Sequence, residues 1–395
     1  MISVDFLVVG GGVVGLSAAV AMCQRGFSVA IVDKAPLETY SKQRVYAINA
    51  ASKHLLSSLN AWPQIPREKL SPYEKMYVWE QKNHVKITFD CRDIGQSELG
   101  FIIEEHLLKQ ALYEQCTLTH LPPLEATTLI EHENHVILKA RDAQRSEHHL
   151  QASFVFITDG AKSTLRQKLN IPLTQWPYHH HAIVATVHTE KSHRNTAYQI
   201  FTPEGPLAFL PLSDKHHCSI VWSVTHQHAE SLQTLPDEMF NETLATTFEQ
   251  KLGSCQLVSH RQQFELHMRH AEQYHGKRWI LMGDAAHTIH PLAGLGLNLG
   301  LADLSTWLHL TAATTHTHYN TALLGAYQRQ RKSATWAVIG LMELIKTTFS
   351  QSSSPIQWLR GFGMEMLNSI TPLKRMMIHY ASGAMPQTKS GTTPP

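Results

Sequence analysis

The chain has few cysteines, and none of them lies close to another in sequence. Its 395 residues include five cysteines without CxxC spacing. This pattern argues against a zinc site, an iron–sulfur cluster or a disulfide framework, and it fits a reducing compartment. The 27 histidines are numerous, yet the run at 179–181 and the pair His287 and His290 lack the acidic and cysteine companions of a metal site. We therefore expect no metal.

The chain also lacks a block of charge of one sign and a segment typical of a leader or membrane span. The formal net charge is +2 with no basic stripe, so nucleic acid is not an expected partner. Phe6–Cys23 is uncharged, but no basic segment precedes it, Asp5 borders it and three consecutive glycines interrupt it. We expect a cytoplasmic protein whose length allows two domains.

The N-terminal residues have the order of elements found in dinucleotide-binding folds. The pattern predicts a buried strand over Asp5–Val9, a helix over Leu16–Arg25 and a second strand over Ser28–Asp33. A glycine-rich turn joins the first strand to the helix. A nucleotide site is therefore predicted at this turn.

Each residue of this fingerprint has a physical role. Gly10 allows the tight turn, Gly12 lets the backbone approach a pyrophosphate, and Gly15 permits close packing of the helix. Asp33, 18 positions after Gly15, can hold an adenosine ribose.

A second segment predicts flavin binding. A short apolar strand, Trp279–Met282, delivers Asp284 to its carboxyl end, and a loop rich in proline and glycine leads into an apolar helix over Leu297–Trp307. A carboxylate at this position can accept hydrogen bonds from a polyol. The bare amides of Gly294 and Gly296 at the helix start can face negative charge.

Between the two segments the pattern changes to alternating strands. A strand over Leu150–Thr158 ends in the Asp159-Gly160 turn, and period-two patterning follows from Ala182 to residue 224. Such patterning predicts an antiparallel sheet with one covered face, inserted into a doubly wound domain. The junction would form a ligand cleft.

Together, these motifs give the chain a family resemblance. It resembles the flavoprotein aromatic hydroxylases of the para-hydroxybenzoate hydroxylase type, and among them the ubiquinone-biosynthesis hydroxylases, over about residues 4 to 331. The matching segments are the glycine fingerprint, Arg44–Asn49, Leu99–Glu104, Asp159-Gly160, Phe201–Ala208 and Gly283–Asn298. Arg44–Asn49 and Phe201–Ala208 resemble the ubiquinone group in particular.

The resemblance implies an α/β fold with a Rossmann-like FAD-binding domain of the glutathione-reductase type. The expected units are a discontinuous FAD-binding domain (1–70, 98–175 and 265–330), a substrate domain made mainly of antiparallel sheet (71–97 and 176–264), a C-terminal helical region (331–386) and a disordered tail (387–395).

The resemblance also implies roles for particular residues. Asp284 would bind the ribityl chain of FAD, Asp33 the adenosine ribose, and Arg44 would lie along the cofactor. Asp159-Gly160 is the family signature associated with both FAD and NAD(P)H. The flavin ring would be bordered by a loop that also holds the catalytic candidates Pro291, Gly294 and Gly296. The full expected FAD set is Gly10, Gly12, Gly15, Asp33, Arg44, Asp159, Gly160, Gly283, Asp284, Pro291, Gly294, Gly296, Leu297 and Asn298.

Two positions depart from the family pattern. Leu295 stands where glutamine is common, and Glu105-His106 stands where Asn-Arg is usual. Loss of the glutamine would alter a contact beside the flavin or the substrate, and loss of the arginine would weaken a cofactor contact.

The implied activity is hydroxylation of the ring of a polyprenyl phenol, using NAD(P)H and O2 through a flavin C4a-hydroperoxide. The protein would supply orientation, electrostatics and exclusion of water. Spacing singles out no phenol-activating residue. Three alternatives stay open: another flavoenzyme such as a halogenase or reductase, a hydroxylase of a soluble aromatic compound, and an FAD-binding structural subunit of a quinone-biosynthesis complex.

The C-terminal segments Trp336–Leu344 and 355–377 are rich in apolar side chains with interspersed Lys and Arg. One interpretation is helices packed on the FAD domain. The other is an apolar face that helps a prenylated substrate arrive from the inner face of a membrane, or from another ubiquinone-biosynthesis protein.

Overall fold

The computed structural model describes residues 2–37, 44–81, 86–119, 121–289 and 294–350, with strands and helices that alternate along the chain. The strands are β1 (Ile2–Val9), β2 (Val29–Val32), β3 (Val45–Ile48), β4 (Ser71–Tyr73), β5 (Lys75–Glu80), β6 (Lys86–Asp90), β7 (Gly100–Glu104), β8 (Glu125–Glu131), β9 (Val136–Arg141), β10 (Glu147–Ile157), β11 (Leu173–Thr189), β12 (Thr196–Thr202), β13 (Gly205–Pro211), β14 (His217–Thr225), β15 (Cys255–Leu257), β16 (Gln262–Ala271), β17 (Trp279–Leu281) and β18 (His287–Thr288). The helices are α1 (Val13–Gln24), α2 (Ala50–Ser58), α3 (Glu105–Tyr113), α4 (Thr164–Lys168), α5 (His226–Thr234), α6 (Asp237–Thr247), α7 (Leu295–Leu310) and α8 (Thr321–Ser350).

The first sheet is the doubly wound part of the molecule. Its parallel strands β2, β1, β10 and β17 lie side by side, and the antiparallel strands β9 and β8 extend it beyond the first half of β10. The predicted strands over Asp5–Val9, Ser28–Asp33 and Trp279–Met282 correspond to β1, β2 and β17. Parallel strands covered on both faces are continuously apolar, and this holds for the carboxyl-terminal parts of these strands at 6–9, 29–32, 154–157 and 279–281.

Helix α1 explains the uncharged run near the N-terminus. Nine of its residues are buried, among them Leu16, Val20 and Met22, because the helix packs against the first sheet and contacts α3 and α7. It begins at Val13, three residues before the predicted start, since the turn leads directly into helical backbone. The apolar run is therefore core rather than a membrane segment.

The second sheet has nine strands in the order β18, β16, β11, β14, β13, β12, β5 and β6, with β15 paired to β11. The alternating segment predicted from Ala182 to residue 224 forms the second half of β11 and all of β12 and β13, together with β14, and the pairs β11–β14, β14–β13 and β13–β12 are antiparallel. A small third sheet, β3–β7–β4, is built from strands that precede and follow β5 and β6 in sequence. The domain ranges given by the sequence analysis stay a prediction. β11 runs across the expected boundary at 175/176, and β16 runs across the one at 264/265.

Three hydrophobic clusters organise the packing. The largest surrounds the first sheet, with aromatic contacts such as Phe154 to Trp307 at 5.3 Å between ring centroids. A second cluster lies between one face of the nine-stranded sheet and helices α5 and α6. The third joins the opposite face of that sheet to α7 and α8.

Helix α8 contacts both halves of the molecule. Leu324 and Tyr327 near its start belong to the cluster around the first sheet, whereas Val338, Ile339 and Met342 pack with residues of the nine-stranded sheet. The expected packing on the FAD domain thus applies to the first part of this helix. Within the described ranges, no helix combines the length and the apolar character that are required to span a bilayer. The predicted segment 355–377 and the tail lie outside the described residues.

Candidate functional site

The glycine-rich turn lies between the first sheet and the start of α1. Gly10 has a φ of +107°, which favours glycine, and Thr158 Oγ1 donates hydrogen bonds of 2.9 Å to the carbonyls of Val9 and Gly10. A Cβ on Gly15 would collide with the Gly10 carbonyl and come within 2.6 Å of Thr158 Oγ1, so glycine is required for close packing there.

Gly12 differs from its neighbours because it faces open space. A Cβ built on Gly12 meets no atom within 4 Å, and Gly12 lines a large cavity. Gly12 is also the N-cap of α1, whose first turn is uncharged and has no side-chain cap. Free helix N–H groups with open space before them form a site for a phosphate group.

Asp33 follows β2 and is tied to the same turn. Its Oδ2 accepts a hydrogen bond of 2.6 Å from the Gly11 amide, and its Oδ1 accepts one of 2.9 Å from the Ala35 amide. These bonds hold the carboxylate beside the glycine turn. The predicted partner of an adenosine ribose therefore lies next to the predicted phosphate site.

Asp284 follows β17, which runs parallel to β10, and it lines the cavity from the same carboxyl edge of the first sheet as the glycine turn. Within the described residues, its carboxylate has no hydrogen-bond partner, and burial raises its pKa. Gly283 before it has a φ of +60° and lies against Val14 of α1, where a Cβ would approach Val14 Cγ2 to 3.3 Å. A partly buried carboxylate without a partner fits a ligand rich in hydroxyl groups.

A buried cluster that sequence reasoning missed holds this strand end. Asp303 of α7 is fully buried and accepts a hydrogen bond of 2.8 Å from the Gly283 amide. His287 Nε2 lies 2.8 Å from the same carboxylate, and Arg331 Nε of α8 lies 2.5 Å from it. Burial would raise the pKa of Asp303, but His287 and Arg331 outweigh it and lower the pKa. A single acid within the apolar sequence of α7 is the signal that could have revealed this cluster.

The start of α7 borders the cavity as predicted from the glycines. Gly294, with a φ of +62°, is its N-cap, and Gly294, Gly296 and Leu297 line the cavity. Its first turn carries no charge, and a Cβ on Gly296 would meet no atom within 4 Å. The helix therefore offers its N-terminal amides to the cavity. Pro291 lies outside the described residues.

Asn298 does not line the cavity but braces the start of α7. Its Nδ2 donates to the carbonyls of Ala47 (2.7 Å) and Gly294 (3.0 Å), and its Oδ1 accepts from the Asn49 amide (3.0 Å). Both the nitrogen and the oxygen of the Asn298 carboxamide are thus hydrogen-bonded to backbone groups of the protein. Its position links α7 to β3 and α2.

Arg44 lines the cavity beside β3, and its place along the cofactor stays a prediction. Its guanidinium carbon lies 5.0 Å from the centre of the Tyr46 ring. Tyr46 Oη donates a hydrogen bond of 3.2 Å to Glu105, which also lines the cavity. One departure from the family pattern, Glu105, therefore faces the site. The other, Leu295, packs with the cluster between the nine-stranded sheet and α8.

The Asp159-Gly160 turn lies on the first sheet next to the glycine turn. Asp159 Oδ2 accepts a hydrogen bond of 3.3 Å from the Leu165 amide, its Oδ1 is buried without a partner in the described chain, and burial raises its pKa. Gly160 lines the cavity with a φ of +83°. Arg166 anchors the turn by donating to the carbonyls of Ala285 (2.7 Å) and Ala161 (2.8 Å).

One cavity of about 530 Å³ joins these elements. It runs from the starts of α1 and α7 to a face of the nine-stranded sheet, where its walls are mostly apolar. Its sheet wall is formed by Met76, Ala182, Val184, Ala197, Gln199, Pro206, Ala208, Leu210, Val221, Ser223, Gln262, Phe264 and Leu266. Sequence reasoning expected a cleft at this junction but named none of these side chains.

The residues present fit a flavin dinucleotide. Two uncapped helix starts, an unpartnered carboxylate at Asp284 and open space above Gly12 and Gly296 border one cavity, and the Asp33 carboxylate lies beside the glycine turn. The fold and the site thus define a flavoprotein with an apolar substrate cleft.

Comparison with known proteins agrees with this class. The model of the FAD binding domain family matches residues 3–341. The chain is 32% identical to the ubiquinone biosynthesis monooxygenase COQ6 of Danio rerio, over 96% of this chain and 89% of that protein. It is 30% identical to the 3-demethoxyubiquinol 3-hydroxylase of Escherichia coli, over 96% of this chain and 98% of that protein.

A solved structure shows the same fold at lower identity. The p-nitrophenol 4-monooxygenase of Pseudomonas putida superposes with a TM-score of 0.80 at 17% identity, over 98% of this chain and all of that one. The chain belongs to the FAD binding domain family of flavin-dependent monooxygenases. It is an FAD-dependent enzyme with the hydroxylase fold expected from its motifs.

Proposed function

We propose that this enzyme hydroxylates the aromatic ring of a polyprenyl phenol in ubiquinone biosynthesis, using NAD(P)H and O2. The observation that carries the proposal is the single cleft that joins the FAD cradle to an apolar face of the nine-stranded sheet. The printed activities of the relatives from Danio rerio and Escherichia coli support a quinone precursor as substrate.

The chain's own residues would hold FAD at both ends. Asp33 would bind the adenosine ribose, the amides before α1 the pyrophosphate, and Asp284 the ribityl chain. Bound FAD would supply the electron transfer and the activation of O2. The protein would bind the cofactor, orient the substrate ring and exclude water.

The start of α7 would act on the electronic state of the flavin ring. Its amides at Gly294 and Gly296 face the cavity, and the first turn carries no acid that would cancel the positive end of the helix dipole. Negative charge on a ring placed there is stabilised. This is the role we assign to the predicted loop candidates; Pro291 stays a prediction.

The apolar wall of the cleft would keep the reaction dry. Side chains such as Val184, Val221 and Leu266 offer no hydrogen bonds to water, and exclusion of water protects a reactive oxygen species from loss as hydrogen peroxide. An apolar cleft also favours a substrate with an apolar tail.

We further propose peripheral contact with a membrane through α8. Trp336 and Leu344 are 39% and 65% exposed and stand eight positions apart, which places them near one helix face. Sedimentation with vesicles of phosphatidylglycerol and phosphatidylcholine would test this contact. A Trp336→Gln, Leu344→Gln variant should stay in the supernatant, and sedimentation equal to wild type would contradict it.

The proposed activity can be tested with purified protein and with cells. A host deficient in ring hydroxylation of ubiquinone precursors is complemented with wild type, Asp284→Ala or the matched surface variant Asp237→Ala, whose aspartate is exposed. In the deficient host, mass spectrometry should show accumulation of a prenylated phenol that has one oxygen atom fewer than the hydroxylated product. Wild type and Asp237→Ala should remove this intermediate, whereas Asp284→Ala should not. FAD content of each purified protein is measured in parallel.

Other outcomes point to the alternatives. Rescue by an Asp284→Ala protein that has lost FAD would favour a structural subunit over an enzyme. Hydroxylation of simple phenols with no dependence on a prenyl group would favour a soluble aromatic substrate.

A further inference from the structure

At the centre of the nine-stranded sheet, neighbouring positions on the two faces differ in the size of their side chains. On the face covered by α5 and α6 lie Ile183, Phe209 and Trp222, all at most 1% exposed. On the cleft face, neighbouring positions carry Ala182 and Ala208. Because residues alternate between faces, the small side chains leave room above the sheet, where a ligand can lie.

Strand register places the carboxamide of Gln199 beside a row of small side chains on this cleft wall. Gln199 of β12 pairs with Ala208 of β13, Ala208 pairs with Val221 of β14, and Val221 pairs with Val184 of β11. All four residues line the cavity. With strands about 4.8 Å apart, the three small apolar residues form a floor about 10 Å wide, enough for an aromatic ring, with Gln199 at its edge.

Gln199 is buried yet unpartnered. It is 9% exposed, and its carboxamide makes no hydrogen bond to any residue in the described part of the chain. Its strand neighbours on the same face, Ala197 and Phe201, are apolar. Because Gln199 lines the cavity, a group that enters the cleft is the natural partner of its carboxamide.

We propose that Gln199 is a substrate-positioning residue that hydrogen-bonds an oxygen attached to the aromatic ring of the substrate. A carboxamide can accept a hydrogen bond from a phenol O–H and can donate one to a carbonyl or phenolate oxygen. It can therefore bind the ring oxygen whether the substrate is a phenol, a phenolate or a quinone-like carbonyl compound. The ring then lies on the floor of Ala208, Val221 and Val184 in a fixed rotation. This inference rests on the proposed function, since it requires an oxygenated ring in the cleft.

The test compares two ligands that differ by one oxygen. FAD-loaded wild type and Gln199→Met are titrated with 2-prenylphenol and with prenylbenzene, and binding is followed by the change in flavin absorbance. Gln256→Met is the matched control, because Gln256 is exposed on β15 of the same sheet. FAD content and melting temperature are measured for each protein.

We expect Gln199→Met to raise the Kd of the phenol about tenfold, as for the loss of one hydrogen bond, and to leave the Kd of prenylbenzene within about twofold. Gln256→Met should change neither. Gln199→Glu keeps an acceptor oxygen at the same reach, so its phenol Kd should fall between those of wild type and Gln199→Met. Gln199→Met should also form more hydrogen peroxide than wild type per NAD(P)H oxidised.

The results separate this inference from the proposed function. An equal loss of both ligands would show that Gln199 shapes the cleft without contacting the oxygen, and unchanged phenol binding would likewise overturn the inference. If wild type binds neither ligand and hydroxylates no prenylated phenol, the proposed function fails and the inference fails with it.

Discussion

Replacement of Asp303 by asparagine should weaken both the fold and the binding of FAD. Three donors converge on this buried carboxylate: the Gly283 amide at 2.8 Å, His287 Nε2 at 2.8 Å and Arg331 Nε at 2.5 Å. Asparagine has a single acceptor oxygen, and its NH2 group would face at least one of these donors. Arg331 would also stay buried without its counter-charge.

The size of the effect follows from this geometry. Breaking a buried charge pair from one side costs about 3–5 kcal/mol. An unfolding entropy of about 2.1 cal/mol/K per residue gives about 0.8 kcal/mol/K for the chain, so a loss of about 4 kcal/mol lowers the melting temperature by about 5 °C. Because Asp303 fixes the Gly283 amide beside Asp284, we also expect the Kd of FAD to rise about tenfold.

The assays are thermal unfolding of the apoprotein and titration of the apoprotein with FAD, followed by quenching of FAD fluorescence. Asp237→Asn on the exposed start of α6 is the control and should change melting by less than about 1 °C. An Asp303→Leu, Arg331→Met double variant should melt above either single variant, because it removes both charges. If Asp303→Asn melts and binds FAD like the control, the assigned role of this cluster is wrong.

Two further predictions concern the glycine turn and the pH dependence of stability. Gly12→Val should melt within about 1 °C of wild type yet lose FAD, because its side chain points into the open space of the cavity. Gly15→Val should fail to fold, because its side chain collides with the Gly10 carbonyl. Soluble Gly12→Val protein with the FAD content of wild type would contradict this prediction. Burial lowers the pKa of His270 to about 4. Below pH 6.5 the unfolded chain therefore binds a proton at this histidine, whereas the folded chain does not. The free energy of unfolding falls as the pH decreases from 6.5 to 4. In wild type, Tyr274 Oη lies 3.1 Å from His270 Nε2, and the variant His270→Gln keeps a side-chain partner for this hydroxyl. In denaturant titrations, the variant should reduce the pH dependence of the free energy of unfolding by up to about 1.4 kcal/mol per pH unit. An unchanged pH dependence would refute the role assigned to His270.

The local elements of the cofactor half were predictable because their signals are local. The turn at Gly10–Gly15 requires glycine for reasons of backbone conformation and close approach, and β1, α1 and β2 carry continuous apolar patterns. Helix boundaries were less exact: α1 begins three residues early, and α7 extends from Leu295 to Leu310 around the predicted Leu297–Trp307. Such ends depend on capping and packing as well as on pattern.

The roles of individual side chains were less accessible. Asn298 belongs to the expected FAD set, yet both its carboxamide nitrogen and its carboxamide oxygen are used in bracing α7 against β3 and the start of α2. Asp303 and Arg331 are 28 positions apart in sequence, and only the packing of α8 on α7 brings them together. Nothing in the local pattern shows which of many charged residues will be buried as partners.

The sequence by itself determined the strand–turn–helix proposed to receive the phosphates, the position of Asp284 at a strand end and the alternating strands of the inserted sheet, because glycine conformation and residue periodicity act over a few neighbours. The tertiary structure alone decided which face of that sheet turns toward the cofactor and that Gln199 lies unpartnered on it. Register between strands far apart in sequence sets those positions, since a shift of one residue would exchange the two faces.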